Sequence, residues 1–380
     1  MKRYTKLGMI LLVVSIWSCS DQDEGPQSQY LIPKDLNDGI LVADAEAQGI
    51  DIELLNEMEQ LNLDGTYENV HSILVAYKNQ LVYETHFTGT PIYGNIRQWN
   101  ANSKHNQHSV TKSWNSALVG IAVDQYGLSI DAKVMDFFPE IDQSNWTDGR
   151  ELITIEDLLI MSSGIQWDEW SFSYDDPRND HSLMNVSPNW VHFVLTRPMS
   201  TTPGRTFLYN SGLSITLGEI VKKHTRKSVE SLAREHLFSP LGITDFDWSR
   251  SDNRIYQTGG GLSVSSRAML KFGLMYYNDG VWNGTRVLSE EWANTSTRQQ
   301  GPNPNYGYQW WVGSYTARGG SYPAYLAAGR GGQYIIVMDN LELVVVFTAG
   351  NDNQLSTEQP RDMMQKYIIP SILSSRSSSN

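Results

Sequence analysis

The sequence predicts an α+β protein in which both chain ends supply strands to one antiparallel sheet, with a mostly helical region inserted between them. Two β-rich runs, 71–87 and 333–350, are each divided by a short polar turn, which is the pattern of a β-hairpin. Between these runs the apolar residues have mainly helical spacing. Because strands and helices do not alternate along the chain, a doubly wound parallel sheet is disfavoured.

Helices are predicted before the first hairpin and throughout the inserted region. Apolar residues recur at helical spacing over 51–62, and the run after Ser109 is apolar nearly all round until Gly127. Thr154 and Asp157 have the spacing of a capping box, which predicts a helix N-terminus there. Further helical segments are predicted at 229–242, 266–280 and 289–296.

The N-terminal residues have the pattern of a secretory signal. Three basic residues precede an apolar run at 7–17, which is too short to span a bilayer permanently. The small residue directly before Cys19 is similar to the lipobox of bacterial lipoproteins, from which the bulky Trp17 departs. This resemblance implies a signal peptide at 1–18 and acyl chains on Cys19. The open alternative is an ordinary signal peptide that contains an unmodified cysteine.

The predicted signal sets the expected organisation of the rest of the chain. Residues 19–50 begin with an acidic stretch and are expected to form a lipoprotein tether and linker. One hydrolase domain is expected at 51–370, followed by a serine-rich, disordered tail at 371–380. We expect the protein to be an extracytoplasmic lipoprotein, anchored by its N-terminal lipid to the outer membrane of a bacterium. There it would face the periplasm or the cell surface.

The composition excludes several classes of function. The net charge is −13 and basic residues form no dense cluster, so we expect no nucleic-acid partner. Because Cys19 is the only cysteine, the mature domain has no disulfide and no thiolate catalyst. The sequence has no H-E-x-x-H, P-loop or G-x-G-x-x-G motif, so we expect no metal and no cofactor. It also lacks the G-x-S-x-G elbow of an α/β-hydrolase.

Ser109 and Lys112 are the first candidates for catalysis. They lie three residues apart at the start of an apolar helix, and therefore on the same face. A helix N-terminus favours an oxyanion, and burial lowers the pKa of a lysine so that it can act as a base. A single Ser-x-x-Lys is a weak motif, and Ser109 as a plain N-cap is the alternative.

Three segments in order, "SVTK", "PGRTFLYNSG" and "AAGRGGQYIIVMDNLELVVVF", resemble the serine β-lactamase and penicillin-binding-protein superfamily. The closer similarity is to class C-related serine hydrolases and esterases, including 6-aminohexanoate-oligomer hydrolases. Stretches between these segments, such as "TGGGLSVSSRAMLKFG", are also similar, so the resemblance covers roughly 65–370. It implies a β-lactamase-like fold.

The resemblance also implies roles for individual residues. Ser109 would be the acylated nucleophile and Lys112 its proton acceptor. Tyr209 would exchange protons with Ser109 and the leaving group, provided that Lys112 lowers its pKa. The backbone N–H groups of Ser109 and Arg330 would form the oxyanion hole.

Two of the motifs depart from the family pattern. Ser211 stands where an asparagine is frequent, and Ala327 and Ala328 replace a cationic and a hydroxyl residue before Gly329. In penicillin-recognising members those side chains bind the β-lactam carboxylate, so antibiotic hydrolysis is put in doubt while acyl transfer is not. Arg330 could supply a displaced cation.

Several further residues are expected at the substrate. Ser211 and Gly329 belong to the matched motifs, and Gly331 and Gly332 would let a substrate approach the strand closely. Trp167 and Trp170 would form a wall of the cleft, whereas their neighbours Asp168 and Glu169 are interpreted as solvated acids. The expected substrate-binding residues are therefore Ser211, Gly329, Gly331, Gly332, Trp167 and Trp170.

These observations predict a serine hydrolase that cleaves a small-molecule ester or amide through an acyl-enzyme on Ser109. The alternatives are a D-Ala-D-Ala peptidase or β-lactamase, and a catalytically silent binding or sensor module of the same fold.

Overall fold

The structure is a computed structural model that describes residues 29–144 and 146–377, so the predicted signal peptide and Cys19 lie outside it. Its strands are β1 Leu41–Val42, β2 Val70–Tyr77, β3 Gln80–His86, β4 Thr88–Gly89, β5 Arg97–Gln98, β6 Lys104–Asn106, β7 Asp247–Trp248, β8 Leu262–Ser265, β9 Val281–Trp282, β10 Thr285–Arg286, β11 Trp311–Ala317, β12 Gly320–Gly329, β13 Gln333–Met338 and β14 Leu343–Ala349. Its α-helices are α1 Ile52–Leu63, α2 Thr111–Tyr126, α3 Ile155–Leu159, α4 Asp180–Val186, α5 Trp190–Leu195, α6 Ser211–Thr225, α7 Val229–Ala233, α8 Ser266–Tyr277, α9 Glu290–Ser296, α10 Leu355–Met363 and α11 Ile369–Ser377.

A seven-stranded sheet unites the two ends of the chain in the order β1-β3-β2-β14-β13-β12-β11. All neighbouring strands are antiparallel except β1, which is parallel to β3. The N-terminal hairpin and the C-terminal strands meet where β2 pairs with β14. This arrangement confirms the predicted fold class, including the helical region inserted between the two hairpins.

Turn and capping residues account for the ends of several predicted strands and helices. Lys78 and Asn79 both have positive φ, 49° and 63°, as a two-residue hairpin turn requires between β2 and β3. The capping box of Thr154 and Asp157 opens α3, with hydrogen bonds in both directions. Gly127 ends α2 in the left-handed conformation, at φ 70°.

Both faces of the sheet are covered, so two apolar cores flank it. Along β2, Leu74 and Ala76 face the core shared with the inserted helices. The intervening Ile73, Val75 and Tyr77 face a second core, which is closed by α1 and the C-terminal helices. Burial on both sides explains why residues 73–77 of β2 form a continuous apolar run.

The structure differs from the predicted boundaries at both ends of the domain. Part of the expected linker packs on the sheet, because β1 pairs with β3 and Ile40, Ala45 and Ile50 are buried. The expected disordered tail at 371–380 is wrong at its start, because α11 continues into it and buries Ile372. The apolar side chains of this helix complete the second core, which outweighs the low complexity of the serines that follow.

The hairpin β11–β12 and helix α6 were not predicted, although Gly319 lies in the turn of the hairpin with φ 79° and Asn210 caps the helix. A five-residue π-helical turn at Arg234–Phe238 interrupts the helix predicted over 229–242. In the described residues, no helix combines the length and the apolar character needed to cross a membrane.

Packing of the C-terminal helix can be tested by Ile372→Ala. Its side chain is fully buried, so we expect the free energy of unfolding to fall by about 2–5 kcal/mol. The matched control is Lys366→Ala in the preceding turn, because the Lys366 side chain is 63% exposed and its change is expected within about 0.5 kcal/mol. Equal effects of the two substitutions in urea unfolding would contradict this packing.

Candidate active site

The candidate nucleophile lies in a turn that leads into the buried helix α2. A 3₁₀ turn at His108–Val110 carries Ser109 and runs directly into α2. His108 has φ 43°, a left-handed conformation that is uncommon for a residue with a side chain. Backbone strain of this kind is concentrated at functional sites, where the surrounding structure holds the strained residue in place.

Lys112 lies in the first turn of α2 with its amine beside Ser109. The Nζ atom donates hydrogen bonds to Ser109 Oγ at 2.9 Å and to the carbonyl oxygen of Gly259 at 2.6 Å. The residue is 2% exposed, and burial lowers its pKa to about 8, although the charge of Glu169 acts in the opposite direction. A substantial fraction of the amine is therefore neutral, and able to accept a proton, at mildly alkaline pH.

The carbonyl of Gly259 belongs to the "TGGGLS" segment, which lies against the turn of the nucleophile. Gln107 N donates to Leu262 O at 2.8 Å, and Leu262 N donates to Thr111 Oγ1 at 3.2 Å. A Cβ on Gly259 would come within 2.9 Å of the backbone oxygen of Ser211. Glycine at this position therefore allows the segment to pass between Lys112 and α6. The resemblance to the family includes this segment but implies no role for it.

Tyr209 completes the predicted set of three side chains. Its ring stacks between those of Trp170 and Trp311, with centroid distances of 5.0 and 5.9 Å. Lys112 Nζ lies 4.9 Å from the centroid of the same ring. Burial and then the charge of Glu169 raise the pKa of Tyr209 well above its usual range, against a hydrogen bond with Ser109. Lys112 is not among the groups that shift this pKa, so the condition set for the role of Tyr209 is not met, and the high pKa keeps the phenol neutral.

Glu169 is a member of the site that the sequence interpretation missed. It is 3% exposed rather than solvated. Its carboxylate accepts hydrogen bonds from Ser211 N and Oγ at 2.7 and 2.6 Å, from Trp167 Nε1 at 2.7 Å and from the Tyr174 hydroxyl at 2.9 Å. The available signal was its position between aromatic residues, because a carboxylate inside an aromatic cluster must find donors when it is buried.

Ser211 and Trp167 thus hold Glu169. Ser211 begins α6 and also lines a cleft beside Ser109. The Trp167 ring is 3% exposed and packs edge-on against Phe193, so it forms no wall of a cleft. Trp170, in contrast, is 64% exposed and lines the cleft.

The end of β12 lies directly against the nucleophile. A Cβ on Gly329 would be 2.4 Å from Gln107 O and 3.3 Å from Ser109 N, so only glycine permits this approach. The Arg330 side chain turns away to an ion pair with Asp352 and lies 5.0 Å from the ring centroid of Tyr174. Its charge is therefore neutralised within the protein.

Gly331 and Gly332 have a different role from the one expected. Their φ values are 90° and 93°, so they form the turn between β12 and β13. Neither residue lines a cleft at Ser109. A Cβ on Gly332 would lie 2.9 Å from Cβ of Ala349, so the lack of side chains serves packing inside the protein rather than the approach of a substrate.

Two clefts meet at Ser109, Tyr174 and Arg330. We call the larger one, of about 670 Å³, the aromatic cleft; its other lining residues are Trp170, Tyr209, Asn305, Trp311, Val312, Gly313, Ser314, Tyr315, Leu326, Ala328, Gly329, Tyr334, Ser356, Thr357, Pro360 and Arg361. The smaller cleft, of about 350 Å³, has polar and apolar surface in similar amounts and includes His181, Asn185, Ser211 and Gln257. Ser109 therefore has open space on two sides.

Buried polar contacts fix α2 relative to the inserted helices. Asn115 Nδ2 donates to the backbone oxygen of Ser214 at 3.0 Å, and Thr258 Oγ1 donates to the same oxygen at 2.8 Å. Ser113 Oγ donates to the backbone oxygen of Gln309 at 2.7 Å. Because unsatisfied buried groups are costly, these contacts specify one position of Lys112 relative to α6. In the described residues, no group of three or more His, Cys, Asp or Glu side chains could hold a metal ion.

The sheet closed by both chain ends, with a serine, lysine and tyrosine gathered where it meets the inserted helices, defines a protein of the β-lactamase-like fold. The chain belongs to the Beta-lactamase family, whose model matches residues 64–365.

Curated relatives and solved structures are also similar to this chain. The chain is 26% identical over 237 residues to 6-aminohexanoate-dimer hydrolase of Paenarthrobacter ureafaciens. The aligned region covers 55% of this chain and 57% of that enzyme. The chain is also 31% identical over 100 residues to lovastatin esterase of Penicillium rubens, and this region covers 24% of this chain and 23% of that enzyme. The matches span less than two thirds of either relative. A family VIII carboxylesterase structure superposes with a TM-score of 0.63 at 17% identity, covering 87% of this chain and 98% of that chain.

The influence of Glu169 on Lys112 can be tested by Glu169→Gln. The carboxylate raises the pKa of Lys112, so its removal is expected to lower that pKa further. The acidic limb of the kcat/KM profile for a p-nitrophenyl ester should then move to lower pH. Asp168→Asn is the matched control, because the neighbouring carboxylate is not among the groups that shift Lys112. An unmoved profile in a folded Glu169→Gln variant would contradict this electrostatic link.

Proposed function

We propose that the protein is a serine hydrolase that cleaves an ester or amide bond through an acyl-enzyme on Ser109. The observation that carries this proposal is the 2.9 Å hydrogen bond between Lys112 Nζ and Ser109 Oγ, made by a buried amine whose pKa is about 8. A serine hydroxyl is inert unless a nearby base removes its proton, and a neutral lysine amine is such a base.

In the proposed reaction, Lys112 accepts the proton of Ser109 as Oγ attacks the carbonyl carbon. The N–H groups of Ser109 and Arg330 would stabilise the resulting oxyanion, a role supported by the approach of Gly329 to Ser109 N. The neutral phenol of Tyr209 would relay the proton to the departing alcohol or amine. Water activated by the same groups would then release the acyl group from Ser109.

A substrate of the penicillin type receives less support. Ala327 is buried and Ala328 offers only a methyl group to the cleft, so these strand positions supply neither a cation nor a hydroxyl. Arg330 does not replace the missing cation, because Asp352 already neutralises it. A silent binding module would not need a buried amine bonded to a serine hydroxyl, since burying it costs free energy.

The role of Lys112 as a base is tested by comparing Ser109→Ala, Lys112→Met and Lys112→Arg on a panel of p-nitrophenyl esters and anilides. Each variant is expected to lose kcat by about 10³-fold or more, because nucleophile and base act as one unit. Arginine keeps the charge but cannot become neutral, so it separates a base from a merely electrostatic role. For the wild type, kcat/KM should rise with pH through about 8, as Lys112 loses its proton.

Full activity of Ser109→Ala on every substrate that the wild type hydrolyses would overturn the proposed function. Activity of Lys112→Arg near that of the wild type would overturn the role of Lys112 as the base.

We also propose that Cys19 anchors the protein to a bacterial membrane through acyl chains, as its position after a signal-like stretch indicates. Expression in a bacterial host should then place the wild type in the membrane fraction. Cys19→Ser should lose the acyl mass and leave that fraction. A wild-type protein without acyl mass would contradict the anchor.

A further inference from the structure

The proposed oxyanion donor at Arg330 lies in a turn that contains two glycines. Arg330 follows the last residue of β12, and the next two residues of the turn are Gly331 and Gly332. Glycine has no Cβ to restrict φ and ψ, so the backbone of such a turn is flexible unless other contacts fix it. Within the described residues, the N–H of Arg330 donates no hydrogen bond, so it is available to an oxyanion.

The side chain of Arg330 is fastened to three separate parts of the chain. Its Nε and Nη2 atoms donate to the two carboxylate oxygens of Asp352, which gives a bidentate ion pair. Its Nη1 atom donates to the hydroxyl of Tyr93 at 3.2 Å, and its guanidinium carbon lies 5.0 Å from the ring centroid of Tyr174. Tyr93 belongs to the loop between β4 and β5, and Tyr174 to the loop between α3 and α4. A bidentate partner gives a planar guanidinium one preferred orientation.

Asp352 is itself held close to the same turn. It follows Asn351, whose N–H donates to the carbonyl oxygen of Gly331 at 3.0 Å. The side-chain amide of Asn351 donates to the carbonyl oxygen of Glu68 at 2.8 Å. The hydrogen bonds from Arg330 lower the pKa of the Asp352 carboxyl below its usual range, so the ion pair stays formed at neutral and alkaline pH.

We propose that Asp352 is a positioning residue of the oxyanion hole: it fixes the side chain of Arg330, and thereby the backbone N–H of that residue. The inference rests on the proposed function, in which the N–H groups of Ser109 and Arg330 stabilise the oxyanion. Gly329 brings the turn against the nucleophile, because a Cβ at this position would lie 3.3 Å from Ser109 N. Donors act on an oxyanion at about 2.7–3.1 Å, so a small displacement of the turn would lower the rate. Because the oxyanion forms only after the substrate has bound, the loss should fall on kcat rather than on KM.

The proposal is tested with Asp352→Asn, which removes the charge of the carboxylate but keeps the size of the side chain. We expect kcat for a p-nitrophenyl ester to fall by about tenfold or more, with KM changed by less than about twofold. Asp352→Glu keeps a carboxylate and should retain more of kcat. Glu358→Gln is the matched control, because Glu358 is an exposed residue of α10 that makes no ion pair with the described residues.

A second readout separates the oxyanion hole from a general effect on the fold. The p-nitrophenyl ester is compared with its thionoester, in which sulfur replaces the carbonyl oxygen. Sulfur is a weaker hydrogen-bond acceptor than oxygen, so the thionoester gains less from a correctly placed N–H. The ratio of kcat/KM for the ester to that for the thionoester should therefore fall in Asp352→Asn, whereas a smaller folded fraction would lower both rates equally.

A double-mutant cycle shows whether Asp352 acts through Arg330. Arg330→Met removes the guanidinium but keeps the backbone N–H, and it should lower kcat and the ester-to-thionoester ratio as Asp352→Asn does. The double variant should be about as slow as the slower single variant, because both substitutions break the same contact. Losses that add up in the double variant would show that Asp352 acts independently of Arg330, and would overturn the proposal.

An unchanged kcat and an unchanged ester-to-thionoester ratio in Asp352→Asn would also overturn this inference and leave the proposed function standing. A loss that the ester and the thionoester share equally has the same consequence. If the wild type hydrolyses neither of the two compounds and no other ester or anilide, the proposed function itself fails.

Discussion

The buried amine of Lys112 is the group on which the rest of the site depends. A lysine that is 2% exposed pays for desolvation in its charged form, so its proton is easily given up. When neutral, the amine can donate one N–H to the carbonyl of Gly259 and direct its lone pair at the hydroxyl of Ser109. The same burial that destabilises the ammonium ion therefore favours the neutral amine, which is the form that the proposed function requires of a base.

Three distant parts of the chain are needed to hold that amine. The sheet supplies Gly329, which lies against the turn of Ser109, and loops of the inserted helical region supply Tyr209 and Glu169. The "TGGGLS" segment supplies the carbonyl of Gly259. Helix α2 lies at the centre of these parts, which explains why it is buried nearly all round instead of being amphipathic. The site is thus a consequence of the topology that unites both chain ends.

Most elements could be predicted from the sequence because their signals are local. Alternating and continuous apolar runs, a two-residue turn and a capping box each act within a few residues, as do Ser109 and Lys112 in one helical turn. The burial of Glu169 had a local signal in its aromatic neighbours, but its pairing with Ser211 could not be predicted, because Ser211 is 42 residues away in the chain. Gly331 and Gly332 were assigned to the substrate for the same reason: sequence does not show which surface a glycine faces. The packing of α11 depends likewise on contacts with the distant α1 and with the sheet.

The central claim is that Ser109 is an activated nucleophile, and the most direct measurement is the intact mass of the purified domain after exposure to a fluorophosphonate. The account predicts a single adduct on the wild type, none on Ser109→Ala, and slow formation on Lys112→Met. A folded wild-type protein that forms no adduct, or an adduct that persists in Ser109→Ala, would contradict it.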